Sequence, residues 1–472
     1  MKRGAAIVAI ALFGGCAVGP DYERPDAEVP QAYKEAGAWK LAQPQDEASR
    51  GKWWEIFKDP QLGALLEQVE ISNQNVLASE AQFRRARSLL AASRAGYFPT
   101  VTADASIVRS RSPSGLVGGT TAGRTITNRS ATLDAGWELD LWGRVRRTVE
   151  SNEANAQASA ADLAAARLSA QAALASNYFL LRVLDAQKQI LDDNVAALQR
   201  SLDLTKNRYA AGVAAKVDLV QAETQLKSTL ADAIDTGVQR AQLEHAIAIL
   251  IGKPPAAFSL PPTPLAVTMP AIPPAVPSAL LERRPDIAAA ERTVAAANAQ
   301  IGVAKAAYFP ALSLSGTLGS RAADASQWFT VPSRFWSIGP ALSLPLFDAG
   351  LRRAQTDQAI AAYDATVAEY RQAVLTGFQE VEDNLAALRI LEEEAKVQED
   401  AVRAARESVI LTTNQYKAGT VSFLNVAVVQ ASQLNNERAA MVTLGRRLVA
   451  AVTLVKALGG GWSPAEIAAD KR

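Results

Sequence analysis

The strongest constraint on this chain is that it contains the same unit twice. Asn207-Arg208-Tyr209-Ala210-Ala211-Gly212 returns as Asn414-Gln415-Tyr416-Lys417-Ala418-Gly419, at an offset of 207 residues. Gly143, followed by Arg144, Arg146 and Arg147, returns at the same offset as Gly350 with Arg352 and Arg353, and Leu250-Ile251-Gly252 returns as Ala457-Leu458-Gly459. Tyr97-Phe98-Pro99 matches Tyr308-Phe309-Pro310 at 211, which places four extra residues between these landmarks in the first copy. Landmarks in one order at nearly the same long offset mean a duplicated unit, not a solenoid of short repeats with periods of about 20–50 residues. Length alone suggests about three domains; the duplication replaces that with two copies of one unit. The expected divisions are 1–15, 16–60, a first copy over 61–252, a Pro-rich connector over 253–278, a second copy over 279–459 and a tail over 460–472.

Each copy reads the same way. A helix comes first, over about 61–96 and 285–307, and ends at Tyr-Phe-Pro because proline cannot continue a helix and biases its predecessor to an extended backbone. Strands follow near 100–110 and 125–141, and again near 311–319 and 335–346. Leu133, Ala135, Trp137, Leu139 and Leu141 alternate with Thr132, Asp134, Gly136, Glu138 and Asp140, giving one apolar and one polar face. Leu312, Leu314 and Leu318 alternate with Ser313, Ser315 and Thr317, and Trp336, Ile338, Leu342, Leu344 and Leu346 repeat the pattern. Gly/Ser/Thr-rich segments over 111–124 and 319–334 separate the strands, so each copy holds one hairpin.

A long helix comes next. No Pro or Gly interrupts Arg144 to Arg208, and at about 1.5 Å per residue such a helix reaches about 100 Å. Its seam runs Leu174, Leu181, Leu184, Leu191, Val195, Leu198, Leu202, Tyr209 at three-and-four spacing, the pattern of a coiled coil. The second copy repeats it with Val374, Phe378, Val381, Leu385, Leu388, Ala395, Val402, Val409 and Tyr416. Gly212 and Gly419 stop the helices, and shorter helices return over 216–251 and 423–458. End to end, the first and returning helices about equal the long one, which predicts a wall of even thickness.

Four strands do not close a barrel, and open sheet edges do not sit in lipid. Three chains would supply twelve strands, enough to close around an aqueous lumen with polar residues inside and apolar residues toward lipid. The expected fold is therefore mostly α with membrane β: a duplicated hairpin plus long coiled-coil helices, completed as a homotrimer.

Composition narrows the chemistry. The net charge is +1, with 49 Lys+Arg against 48 Asp+Glu, so nothing electrostatic points to nucleic acid. One His and one Cys argue against a zinc site or a histidine-based triad, and no Gly-x4-Gly-Lys-Ser/Thr motif is present. No catalytic residue, metal site or cofactor is expected. His245, beside Glu244, reads as a packed or solvated helix residue, and Glu392-Glu393-Glu394 and Asp192-Asp193 read as solvated faces. Besides a duct, a periplasmic coiled-coil lipoprotein scaffold without a pore fits the helices, but it has no use for four amphipathic strands.

At the N-terminus, Lys2 and Arg3 precede an uncharged, mostly apolar run from Gly4 to Gly15. Twelve helical residues span only about 18 Å, short of a bilayer core of about 30 Å, so 1–15 reads as a signal peptide. Leu12-Phe13-Gly14-Gly15-Cys16 resembles a bacterial lipobox, with Phe13 where an aliphatic residue is usual. The resemblance implies acylation of Cys16 as a lipid anchor, and Ala17 in place of Asp implies outer-membrane sorting.

Across the mature chain the sequence resembles the outer-membrane factor (TolC-like) family, in its lipoprotein branch serving resistance–nodulation–division pumps. The residues that carry this are Cys16-Ala-Val-Gly-Pro-Asp-Tyr-Glu-Arg-Pro25, Trp53-Trp54 with Phe57, Asp59-Pro60 and Leu62, and Leu280-Leu281-Glu282-Arg283-Arg284-Pro285-Asp286-Ile287. Both Tyr-Phe-Pro sites and Leu344-Pro345-Leu346-Phe347-Asp348-Ala349-Gly350 complete the set. The resemblance implies a trimeric channel-tunnel in the outer membrane of a Gram-negative bacterium, reaching through the periplasm to a periplasmic adaptor and an inner-membrane transporter. It implies adaptor docking at the turns Ala211-Gly212-Val213 and Ala418-Gly419-Thr420. It also implies a periplasmic gate held by polar links between neighbouring helices, matched here by a hydroxyl–carboxylate bond of Tyr416 and Asp218; our expectation is a softer gate that these two help close while Val421, Leu424 and Asn425 narrow the bore. Several members narrow this entrance with acidic rings; the matching positions here are Asn425 and Val428.

Overall fold

A computed structural model describes residues 17–36, 52–111, 125–263, 269–270 and 283–462. The leader, Cys16, most of the connector and the tail beyond 462 lie outside the described residues. Those described form two units. One takes in the chain up to Asp26, Phe83–Ser159 and Ala290–Tyr370; the other takes in Ala27–Gln82, Ala160–Ala289 and the chain from Arg371.

The first unit is built on a sheet. Strands β1 (Thr100–Arg111), β2 (Thr125–Leu139), β3 (Ala311–Ala322) and β4 (Arg334–Ser343) pair antiparallel in chain order, so the two hairpins join through β2 and β3. The register aligns the alternation across all four strands. Val101, Ala135, Gly316 and Ile338 form one row and Ala103, Leu133, Leu318 and Trp336 the next on the same face. Thr102, Asp134, Thr317 and Ser337 form a row on the opposite face. There Asp134 accepts hydrogen bonds from the Thr317 and Thr132 hydroxyls at 2.5 and 2.8 Å. The apolar face is bare, with Ile338 69% and Trp336 74% exposed.

Three strand ends differ from the expected ones. β3 runs past 319 to Ala322, because it keeps pairing with β2 as far as Arg129. β2 stops at Leu139 because Asp140 turns to accept the amides of Val145 and Arg146, both at 2.9 Å. This caps α3 (Arg144–Ala210). β4 stops at Ser343, which pairs with Ala311, the first residue of β3, so the ladder ends where its partner begins. The preceding helix of the second copy, α5 (Pro285–Ala306), packs through Ala295 and Ala296 on Ala154 and on Tyr22 of the N-terminal strap. The strap is tied down by side chains far away in sequence: Asn298 Nδ2 donates to Pro20 O at 3.1 Å, and Tyr22 donates to Glu291 at 2.5 Å.

In the second unit, Asp59 accepts the amides of Gln61 and Leu62 at 2.9 and 3.0 Å, and proline fills the first position of α1 (Pro60–Ser72). The helix expected over 61–96 is interrupted. Asn73 has an extended backbone and its Oδ1 accepts the amides of Asn75 and Val76, which starts α2 (Gln74–Arg94) anew. Its Nδ2 donates to Leu250 O, at the end of the returning helix α4 (Lys216–Leu250), at 2.7 Å. The second copy repeats the junction: Arg284 donates to Ala457 O at 3.3 Å, at the end of α7 (Phe423–Ala457), which follows α6 (Leu351–Lys417). Both helix ends carry glycine at positive φ, 69° at Gly252 and 95° at Gly459, each pressed against a backbone carbonyl, of Ser72 and of Arg283.

Trp53, Trp54 and Phe57 are buried, with Phe57 4.9 Å from Phe179. Arg182, Asp185, Arg240 and Glu244 form an ion-pair chain, with Arg182–Asp185 at 2.9 Å and Arg240–Asp185 at 2.7 Å. Glu244 accepts the amide of Leu260, and Arg182 donates to Pro261 O. The start of the Pro-rich connector is thereby pinned to the helices. The coiled-coil seams are buried at Leu174, Leu181, Leu191, Leu198 and Leu202 and at Val374, Phe378, Val381, Leu385 and Leu388. Ala395, Val402 and Val409 are only half-buried, and Tyr209 is exposed; a single chain leaves that side of its helices uncovered.

Candidate functional site at the helix turns

The two long helices end in the same hydrogen-bonded turn. The amide of Gly212 donates to Tyr209 O at 2.9 Å and that of Val213 to Arg208 O at 2.8 Å. Gly419 donates to Tyr416 O and Thr420 to Gln415 O, both at 3.0 Å. This paired pattern is the Schellman motif, which satisfies the last carbonyls and needs a left-handed residue. Gly212 and Gly419 supply it with φ of 74° and 79°. No atom lies within 4 Å of where a Cβ on Gly212 would sit, so conformation and not crowding calls for glycine there. Beside them Val213 is 64% exposed, and Ala211, Ala418 and Thr420 are exposed too.

The returning helices start alike. Asp218, three residues past Ala215, turns its Oδ2 back to the Ala215 amide at 3.4 Å. Asn425, its counterpart at the 207 offset, accepts the Ser422 hydroxyl at 3.3 Å. A carboxylate in a first helical turn also meets the positive end of the helix dipole.

The bond expected between Tyr416 and Asp218 is not the one the protomer makes. Tyr416 is buried in a cluster with Leu198, Leu202, Ala222, Leu226, Phe423 and Val426. Its ring meets Phe423 edge-on at 5.6 Å, and its hydroxyl lies 3.3 Å from Thr205 Oγ1. Arg208 lays its guanidinium over the same ring, 4.8 Å from the centroid, and donates to Lys417 O at 3.2 Å. The structure thus brings Thr205, Arg208 and Tyr416 together and leaves Asp218 with its own helix. Sequence does not single out Thr205 and Arg208, because their pairing with the second copy spans more than 200 residues; the seam position of Tyr416, one heptad after Val409, is the one signal that points to burial. Val421 packs at the edge of this cluster, while Leu424 is 50% exposed and Asn425 and Val428 are exposed as well.

Several of the other charged candidates have partners, within their own helix or across to the next. Asp192 takes Lys188 at 2.6 Å, Glu392 takes Lys396 at 3.0 Å, and Glu394 accepts the Thr443 hydroxyl at 2.8 Å. His245 is exposed. No group of three or more potential metal ligands occurs among the described residues, and no described helix is long and apolar enough to cross a membrane.

Comparison with known proteins places this architecture. Residues 65–253 and 276–460, one segment from each copy, match the family model described as outer membrane efflux protein. The chain is 31% identical over 454 residues to the probable efflux pump outer membrane protein TtgC of Pseudomonas putida, covering 96% of this chain and 94% of that one. It is 32% identical over 464 residues to the outer membrane protein OprJ of Pseudomonas aeruginosa, covering 97% and 95%. The solved structure of the outer-membrane channel OprN superposes with a TM-score of 0.88 at 33% identity, covering 95% of this chain and 100% of that one. The chain belongs to the outer membrane efflux protein family.

Proposed function

We propose that three copies of this chain form the passive exit duct of a tripartite efflux pump, docked through their helix turns. The protein is an outer-membrane efflux component, with a twelve-stranded barrel in the outer membrane and a helical tunnel in the periplasm, and it works with other pump components. The observation that carries this is the sheet: four strands with one bare apolar face, one polar face and two unpaired edges, β1 and β4. Edge pairing between copies is the solution that satisfies every backbone group in lipid.

The finer reading concerns the turns. Ala211, Gly212, Val213, Ala418, Gly419 and Thr420 offer small, exposed, rigidly capped surfaces that suit close approach of a periplasmic adaptor, beneath which an inner-membrane transporter supplies substrate. Val421, Leu424 and Asn425 narrow the periplasmic entrance, with Asp218 beside it. Tyr416 contributes by locking α3 to α6 through Thr205 and Arg208. From Phe423 to Asn436, α7 carries no ionisable side chain, which fits an uncharged constriction rather than an ion-selective one. Cys16 serves as the lipid anchor.

Planar-bilayer recording tests the gate. Leu424→Ala/Asn425→Ala trimers are expected to conduct more in the closed state, with ion selectivity unchanged. A closed-state conductance equal to that of the unmodified trimer would remove these residues from the gate. Turn variants Val213→Asp and Thr420→Asp are expected to abolish drug export in cells while leaving single-channel conductance intact.

A further inference from the structure

We propose that the loop end of the barrel carries a binding surface for the phosphate groups of the outer leaflet's anionic glycolipid; this rests on the barrel reading above, which makes the apolar sheet face the outer one. On that face, the row of Ala105, Ala131 and Ser320 ends at Arg334. The next row pairs Ile107 with Arg129, and the two beyond contain Arg109 and Arg111. Four arginines therefore point outward immediately past the apolar band. From Leu139 to Arg129 is ten residues of strand. At about 3.3 Å per residue and a tilt of about 40°, that rises roughly 25 Å, the height of the apolar band of such barrels. The arginines lie at the level of lipid headgroups.

The loop between β3 and β4 leans to the same side. Both side chains that hold it belong to outward rows: the Ser320 hydroxyl donates to Trp328 O, and Arg129 Nη1 donates to Ala323 O at 2.5 Å. The loop thus folds over the lipid face. Trp328 and Phe329 stack at 4.9 Å, and Phe329 and Val331 are 67% and 73% exposed. Among the described residues one carboxylate sits here, Asp324, which accepts the amide and hydroxyl of Ser326. Asp104 and Asp134 lie on the other face, as does Arg321, stacked on Phe335. Among the described residues, each chain thus presents four guanidinium groups and one carboxylate beside exposed apolar side chains. Guanidinium forks match phosphate oxygens bidentately, and aromatic residues suit the acyl boundary below a headgroup. Edge pairing consumes only backbone groups, so Arg109 and Arg111 of β1 and Arg334 of β4 keep their outward direction in the trimer and approach one another across the seam between chains.

The test is native mass spectrometry of the full-length trimer titrated with diphosphoryl lipid A, with dephosphorylated lipid A and with inorganic phosphate as competitor. The unmodified trimer is expected to bind the diphosphoryl form about tenfold or more tightly than the dephosphorylated one, and an R109Q/R111Q/R334Q trimer to lose about that factor. Equal binding of the two lipids by the unmodified trimer, or equal affinity in the triple variant, overturns the proposal. Displacement of lipid A by inorganic phosphate at matching concentration also overturns it, since the surface would then serve free phosphate. Single-channel conductance is expected to be unchanged in the triple variant, which separates failure of this surface from failure of the channel.

Discussion

The hydroxyls of Tyr416 and Thr205 lie 3.3 Å apart and join the two long helices beside their turns. Thr205 also donates to Ser201 O at 3.0 Å. A hydroxyl has one proton, so Tyr416 is the donor and Thr205 the acceptor. A double-mutant cycle with Tyr416→Phe and Thr205→Val, followed by thermal unfolding at fixed protein concentration, should give a coupling energy of about 1 kcal/mol. Zero coupling would mean the hydroxyls make no bond. Removing the stacked guanidinium by Arg208→Ala should cost about 1–2 kcal/mol more in the presence of Tyr416 than in its absence.

Three of the helix-ending glycines, Gly212, Gly252 and Gly459, should not respond alike to alanine. Gly212 has positive φ but open space around it, so Gly212→Ala should cost about 1–2 kcal/mol of local strain and still permit folding. At Gly252 and Gly459 a Cβ would overlap the carbonyls of Ser72 and Arg283. Alanine there should lower the yield of folded trimer sharply, and an equal melting temperature for all three variants would contradict the packing described.

Which sheet face meets lipid is open to a direct comparison. Ile338 lies in the middle of the apolar rows and Ser337, its neighbour, on the polar face. Ile338→Arg should destabilise the inserted barrel by about 2–4 kcal/mol, whereas Ser337→Arg should cost close to nothing. Reversed outcomes in urea-induced unfolding from bilayers would reverse the face assignment.

The second helix junction should be sensitive to acid. Arg284 is buried and holds Asp286 through two bonds, at 3.0 and 2.6 Å, and Glu380 through one at 2.6 Å. Burial pushes the Asp286 carboxyl up, but the Arg284 bonds and charge outweigh it and hold it below its ordinary value. A depressed folded value means stability that is present above the unfolded carboxylate range and lost as pH falls through the folded value. The melting temperature of the unmodified protein should therefore exceed that of Asp286→Asn at neutral pH. The gap should close below about pH 4, where the unfolded carboxylate protonates. A gap that widens with acid would contradict this sign. Arg284→Ala should cost about 2–3 kcal/mol at neutral pH by stripping both carboxylates of their partner.

Periodicity made the helices and strands legible. Local rules failed where a side chain took over a backbone role: Asn73 restarts a helix without any proline or glycine to announce it, and Asp140 ends a strand by capping the next helix. Contacts between distant segments carried no sequence signal at all. Tyr22 on Glu291 and Arg208 on Tyr416 are set by how helices lie side by side, which neither propensity nor spacing encodes. At the turns, Gly212 and Gly419 were readable because only a left-handed residue completes the cap. The partner of Tyr416 was not, because a hydroxyl accepts either a carboxylate or a threonine and only packing decides between them.

The central claim is that three of these chains make one open-ended duct. The most direct measurement combines the mass of the purified full-length protein by light scattering with its current in planar lipid bilayers. The expected result is a trimeric mass and stepwise ion current from that same species; a monomer that inserts no conducting unit would contradict it.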